Sequence, residues 1–228
     1  MYRSFQYDGH WNIIYYPKKP SGFSIFVIGD SHHYVDKQDS FWLHHPGRLQ
    51  LLDEFKEAGY TVFSSGFPSG NTSEEEQALF ARNLYHLVMK SEILNEQIHL
   101  FAEGKGALIA LKLMQCSRFI RSAVFLNPVF ETKKRVKYSA PYYPNASFAS
   151  GGAVQSASLT KPVKDAEASL AVPIKCIHIQ GDEGCPLPLR KLQRNNAEET
   201  VFTYLPRYKR YKVPAETISF FKNHENVL

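Results

Sequence analysis

Short, almost wholly apolar runs recur along this chain and alternate with longer stretches that have helical periodicity. Six such runs cover residues 24–28, 61–64, 97–101, 122–126, 174–179 and 200–204. A strand that is buried on both faces reads as a continuous apolar run, and regular alternation of strands with helices builds a parallel sheet. The predicted fold class is therefore α/β, with a mostly parallel, doubly wound sheet and helices on both of its faces.

The stretches between the apolar runs carry helix signals. Helices are predicted over residues 49–58, 73–90, 105–116, 187–195 and 214–222. The strongest start is at Thr72 and Ser73, which precede three glutamates, because a hydroxyl caps free amides and acidic side chains favour the positive first turn. Near the N-terminus, Asp8 and Gly9 separate two strand-like segments, 5–7 and 11–16, and predict a β-hairpin.

The length of 228 residues and the 43% hydrophobic content fit one large globular domain over residues 1–228. One stretch interrupts the strand–helix rhythm. Residues 127–172 contain several tyrosines, prolines, serines and glycines, and a loop of this length in a compact domain is usually functional or mobile. It predicts a lid or cap excursion over the carboxyl edge of the strands.

Composition bounds the compartment and the partners. Three cysteines without a C-x-x-C pair, no signal-peptide pattern and no apolar run of membrane-spanning length predict a cytoplasmic protein with no membrane contact. The 27 basic residues exceed the 22 acidic ones only slightly, so nucleic acid is an unlikely partner. The basic residues do cluster at 133–137 and 207–212. Nothing in the sequence fixes the oligomeric state.

Residues 98–111, which read IHLFAEGKGALIAL, resemble the strand, sharp turn and helix that carry the nucleophile in the α/β-hydrolase family. The family pattern is small-x-nucleophile-x-small. Ala102 and Gly106 match the two small positions, and Gly104 stands in the nucleophile's place. Glycine tolerates the positive φ of this turn but supplies no hydroxyl. The loop that begins Gly29-Asp30 corresponds to the segment in which the family builds half of its oxyanion hole.

The resemblance implies that the other two catalytic groups are missing as well. The loop after the 174–179 strand has Gly184 where the family has its acid, and Asp182 or Glu183 could substitute for it only if the loop is shifted. The stretch 206–213, before the closing helix, contains no histidine, and Tyr208 lies near the position of the family's catalytic base. Gly104, Gly184 and Tyr208 are thus vestigial triad positions. The Ser-His-Asp mechanism needs a hydroxyl, a base and an orienting acid, so we expect no catalytic triad here.

Three functional hypotheses remain open, and the sequence does not decide whether the chain is an enzyme. The first is a non-catalytic pseudo-hydrolase that binds a small ligand, such as an anion, at the free amides of the helix that starts at residue 105. The second is an esterase-type hydrolase with a non-standard site for a small ester or amide. The third is a protein that binds a partner through its tyrosine- and lysine-rich loop. No cofactor is expected, and the candidate pocket residues are Asp30, Ser31, His32, Glu103, Gly104 and Lys105.

Two further patterns lead to weaker alternatives. Gly29-Asp30-Ser31 also resembles the start of GDSL-type hydrolases, with Ser31 as nucleophile, but the late Asp-x-x-His block of that family is missing. The pairs at 32–33 and 44–45 are adjacent histidines, a residue type that binds metals. Their spacing matches no known site, so polar loop residues are the expectation and no metal is predicted.

Overall fold

The computed structural model describes residues 1–68, 72–130, 172–181 and 200–225 of the chain. These residues contain eight strands: β1 (Tyr2–Tyr7), β2 (His10–Tyr15), β3 (Ser24–Ile28), β4 (Thr61–Ser65), β5 (Ile98–Glu103), β6 (Ile120–Leu126), β7 (Ile174–Ile179) and β8 (Thr200–Leu205). They also contain five α-helices and a 3₁₀ helix: α1 (Phe41–His44), α2 (Pro46–Glu57), α3 (Glu74–Ser91), α4 (Gly106–Cys116), α5 (Val213–Asn223) and the 3₁₀ helix Arg207–Lys212.

All eight strands form one sheet in the order β1-β2-β4-β3-β5-β6-β7-β8. Strands β3 to β8 are parallel to their neighbours within this set, whereas β1 and β2 add as an antiparallel hairpin. The hairpin turns at Asp8 and Gly9, which have φ of 48° and 75°. The predicted fold class and the predicted hairpin are both confirmed.

Helices cover both faces of the sheet because successive side chains of each central strand point to opposite sides. In β5, Leu100 packs into one core cluster with side chains from α3 and α4, and Phe101 packs into the other with side chains from α2 and α5. Both side chains are fully buried. This two-sided burial explains the apolar runs in the sequence and fixes β5 at the centre of the molecule.

Two segments differ from the sequence-based prediction. The 3₁₀ helix Arg207–Lys212 was not predicted, because it has no buried residue and therefore no apolar periodicity. The short helix α1 was also missed, since four residues are too few to show a period. The helix predicted over 187–195 and most of the excursion predicted over 127–172 lie outside the described residues. Among the described helices, none combines the length and the apolarity needed to cross a membrane.

The pairing of β3 with β5 positions the candidate site. The two strands are parallel neighbours, and Ile28 at the end of β3 is paired with Ala102 near the end of β5. The carboxyl ends of parallel strands meet at one edge of the sheet, where ligand sites of open α/β sheets also lie. The loop that begins at Gly29 is therefore brought next to the turn at Gly104.

Candidate functional site at the carboxyl edge of the sheet

Gly104 forms the sharp turn between β5 and α4. Its φ is +55°, in the left-handed region that glycine adopts without the steric cost of a Cβ atom. The amide of Gly104 donates to the carbonyl oxygen of Leu126 at 3.1 Å, and its own carbonyl oxygen accepts from the amide of Val129 at 2.9 Å. The turn is thus held against the end of β6, and the predicted positive φ is confirmed.

Gly106 allows α4 to begin in contact with the end of β3. A Cβ atom placed on Gly106 would lie 2.5 Å from the carbonyl oxygen of Gly29 and closer still to that of Ile28. Both are backbone atoms of a buried sheet edge, so they have little freedom to withdraw. This contact explains why the position requires the smallest residue.

The carboxylate of Asp30 lies in the space next to Gly104. A Cβ atom placed on Gly104 would be 2.6 Å from the Asp30 Cγ and closer still to Oδ2. The other oxygen, Oδ1, accepts from the amide of Ser31 at 2.7 Å and from the amide of Lys105 at 3.3 Å. Asp30 therefore lies where the side chain of a nucleophile at residue 104 would begin.

The two amides that contact Asp30 are those that the resemblance to α/β-hydrolases would assign to an oxyanion hole. In α/β-hydrolases the oxyanion hole consists of the amide that follows the nucleophile and an amide from the loop after the third strand. Lys105 and Ser31 hold these two places in the chain. A carboxylate oxygen of the protein itself thus accepts the hydrogen bonds that a hydrolase would offer to its reaction intermediate.

The remaining candidate pocket residues divide into exposed and buried groups. Ser31, His32 and Lys105 are exposed, and the contribution of Ser31 and Lys105 to the site is through their amides. Glu103 is buried and forms a two-pronged ion pair with Arg48, which donates from Nε to Oε2 at 2.7 Å and from Nη2 to Oε1. The two side chains are only 12% and 13% exposed. Glu103 is therefore neutralised by a partner 55 residues away in sequence.

His33, which was expected to be a polar loop residue, packs inside this loop. Its side chain is 9% exposed, its ring stacks on Phe41 at a centroid distance of 4.0 Å, and Gly29 leaves room for it. Burial lowers the pKa of His33 to about 4, although the charge of Glu103 acts in the opposite direction. The ring is thus neutral near pH 7, and its 3.8 Å contact with Glu103 is not an ion pair.

The structure separates the histidine pairs that were considered as metal ligands. His32 is exposed whereas His33 is buried. His44 contacts Asp39 at 2.6 Å, and His45 caps the start of α2. Within the described ranges, no three or more histidine, cysteine, aspartate or glutamate side chains are grouped so as to hold a metal ion.

Tyr208 and Gly184 are the other two positions that the resemblance assigns to a triad. Tyr208 lies on the 3₁₀ helix and is 75% exposed. Gly184 lies outside the described residues, so its correspondence to the family's acid stays a prediction. The absence of histidine from residues 206–213 is a property of the sequence itself.

A small cavity of about 150 Å³ lies beside this edge of the sheet, between α2, the ends of β6 and β7, the 3₁₀ helix and the start of α5. Apolar side chains form much of its wall, and two arginines from different elements also line it. Its lining residues are Gly47, Arg48, Gln50, Leu51, Leu126, Ile179, Arg210, Tyr211, Val213 and Pro214. This cavity has no signal in the sequence, because the residues of its walls are distant in the chain and ordinary in composition.

Comparison with known proteins identifies similar folds only. No family model and no curated protein matches the chain. Among solved structures, Est1E from Butyrivibrio proteoclasticus with ferulic acid bound is 12% identical, with a TM-score of 0.68 over 97% of this chain and 98% of that one. A soluble variant of monoglyceride lipase from Saccharomyces cerevisiae with a substrate analogue is 12% identical, with a TM-score of 0.65 over 100% and 96%. A putative α/β hydrolase from Agrobacterium tumefaciens is 14% identical, with a TM-score of 0.66 over 99% and 97%.

The contact between Asp30 and residue 104 predicts a specific pattern of stabilities. Gly104→Ala should lower the free energy of unfolding by about 1–3 kcal/mol, because the new methyl group meets the Asp30 carboxylate and alanine is strained at positive φ. In an Asp30→Ala background the loss should be smaller by at least about 0.5 kcal/mol, since only the strain remains. Urea unfolding of the four proteins in this cycle measures the coupling.

Gly106→Ala is the matched control for this cycle. It collides with backbone oxygens rather than with Asp30, so its cost should be the same in the presence and absence of Asp30. Equal costs for Gly104→Ala in both backgrounds would show that Asp30 does not occupy this space.

Burial of His33 predicts a dependence of stability on pH. The unfolded chain protonates this ring below its ordinary pKa of 6.5, whereas the folded protein does so only near pH 4. Between these values the unfolded state binds a proton that the folded state does not. The neutral ring therefore makes its full contribution to the free energy of unfolding above pH 6.5, and about 2–3 kcal/mol of this contribution is lost at pH 4.5. When unfolding is measured at pH 7 and at pH 4.5, the free energy of unfolding of His33→Phe should fall by about 2–3 kcal/mol less than that of the wild type. A loss as large as in the wild type would contradict the neutral buried ring.

Proposed function

We propose that this chain, which has the α/β-hydrolase fold, is a non-catalytic protein that binds a small carboxylate-containing ligand. The observation that supports this most is the Asp30 carboxylate, which lies beside Gly104 and accepts from the amides of Ser31 and Lys105. The position that a serine hydrolase needs for its nucleophile and its oxyanion is taken by a group of the protein itself.

Acyl transfer by the serine mechanism requires donors that are free to stabilise a developing negative oxygen. In this chain those donors already face a carboxylate, and a second negative oxygen at the same place would be repelled. Gly104 also has no hydroxyl to attack a carbonyl group. The loss of the nucleophile and the occupation of the donor site therefore act in the same direction, against ester hydrolysis.

The same carboxylate competes with any external anion above Gly104, where the sequence led us to expect one. The cavity beside Arg48 and Arg210 offers a better place. Arg48 uses Nε and Nη2 for Glu103, which leaves Nη1 outside that pair, and Leu126 and Ile179 provide apolar wall. A cavity of about 150 Å³ can hold a benzene-sized group, so the ligand class that fits is a small carboxylic acid with an apolar body.

Benzoate is a suitable probe of this cavity, and benzamide is its neutral counterpart of nearly the same shape. Calorimetric titration should give a Kd for benzoate of about 1 mM or tighter, roughly −4 kcal/mol, and weaker binding of benzamide. Leu126→Phe should abolish binding because it fills the cavity. Equal binding of the two compounds, or binding that survives Leu126→Phe, would contradict this ligand site.

The alternative, hydrolysis through a non-standard site, has one observation in its favour. Carboxylates serve as nucleophiles in some enzymes, and Asp30 lies at the turn where a nucleophile belongs. The histidine next to it in space, His33, is a weak base at neutral pH because burial lowers its pKa to about 4. It is therefore poorly suited to activate the water that would release a covalent intermediate.

Turnover of 4-nitrophenyl acetate and butyrate separates the two functions. We expect none above background for the wild type, for Asp30→Asn or for the double variant Gly104→Ser/Asp30→Ala, in which the new hydroxyl has room but no base. Turnover by the wild type that disappears in Asp30→Asn would establish the alternative. Turnover by the double variant alone would show that a base is present after all.

A further inference from the structure

The segment Arg207–Lys212 reads Arg-Tyr-Lys-Arg-Tyr-Lys, a three-residue unit repeated once, and it forms a 3₁₀ helix. A 3₁₀ helix has three residues per turn, so residues i and i+3 lie above each other on one face. The sequence repeat therefore has the period of the helix. Arginines, tyrosines and lysines each form a separate stripe along it, and members of a stripe are about 6 Å apart along the axis.

The tyrosine stripe is turned toward solvent. Tyr208 is 75% exposed and Tyr211 is 62% exposed. Tyr204, at the end of the preceding strand β8, is 65% exposed, and one side of its ring stacks on His178 at 5.5 Å. Three large rings within eight residues thus have open faces, and exposed apolar surface that is grouped in this way marks interaction sites more often than scattered side chains do. Tyr211 also borders the cavity, whereas Tyr204 and Tyr208 do not line it.

The chain at and around this helix is basic. Residues 200–215 contain four cationic side chains and no carboxylate. The next acid along the chain, Glu216, is paired with Lys175 at 2.6 Å. Lys209 extends over the ring of Tyr208, with Nζ 5.6 Å from the centroid. The whole chain has only a slight excess of basic residues, so the cluster at 207–212 is a local feature of the sequence.

We propose that Tyr204 and the 3₁₀ helix form a binding surface for single-stranded nucleic acid. Lysines spaced by one turn would contact successive phosphates, and the open tyrosine rings would stack on bases, the combination found in proteins that bind single strands without sequence preference. An acidic peptide would satisfy the cations but would leave the three ring faces unused. The lysines spaced by one turn and the exposed faces of the tyrosine rings therefore favour a polymer that carries both phosphates and bases.

Fluorescence anisotropy with the full-length chain and a labelled 20-mer of thymidylate tests this surface at low salt. Tyr204→Leu/Tyr208→Leu keeps every charge and should weaken binding at least about fivefold, because it removes stacking. Lys209→Gln/Lys212→Gln should weaken binding and reduce the slope of log affinity against log salt by about 1.4, the value for two phosphate contacts on a single strand. Neither variant alters a side chain that lines the cavity.

Tyr34→Leu and Lys18→Gln/Lys19→Gln are the matched controls, since they change the same residue types elsewhere on the surface, and both should bind as the wild type does. Circular dichroism confirms that each variant is folded. Absence of binding, tyrosine variants that bind unchanged, or a polyglutamate of equal charge that competes as well as the oligonucleotide would each overturn the proposal. The last result would identify the surface as one for acidic proteins.

Discussion

Helix α4 begins against the end of β3, and this backbone contact sets the distances throughout the site. Gly106 permits it, because any side chain there would meet the carbonyl oxygens of Ile28 and Gly29. The loop after β3 is consequently held beside the turn at Gly104, and Asp30 extends across it to the amide of Lys105. A carboxylate at the start of a helix is favoured by the free amides and by the helix dipole. The close approach between β3 and α4 therefore places the Asp30 carboxylate beside the turn at Gly104.

Arg48 makes this arrangement compatible with a buried acid nearby. Glu103 immediately precedes the turn, and Arg48 neutralises it through two hydrogen bonds at a site that is almost closed to solvent. An unpaired buried carboxylate would be strongly unfavourable and would repel Asp30. Arg48 also lines the small cavity, so the residue that balances Glu103 is one that a carboxylate ligand would meet. The site and the cavity thus share one side chain.

Much of the framework could be predicted from the sequence, because its signals are local. Apolar runs located β3, β5 and β7 to within about two residues, and glycine at 104 indicated a turn with positive φ. The sequence placed Asp30 among the candidate pocket residues, but its contacts with Gly104 and the Lys105 amide could not be predicted, since they depend on the register between two strands that are far apart in the chain. The Arg48–Glu103 pair and the burial of His33 are likewise tertiary contacts that leave no periodic signal. Gly184 and the segment 131–171 lie outside the described residues.

The central claim is that Asp30 occupies the donor site that a hydrolase would reserve for its reaction intermediate. The position of this side chain in a crystal structure determined without sulfate, phosphate or carboxylate buffers is the most direct measurement. We expect electron density for the Asp30 carboxylate beside Gly104, with one oxygen within hydrogen-bond distance of the amides of both Ser31 and Lys105. An Asp30 side chain turned toward solvent, with water at the Lys105 amide, would contradict the claim.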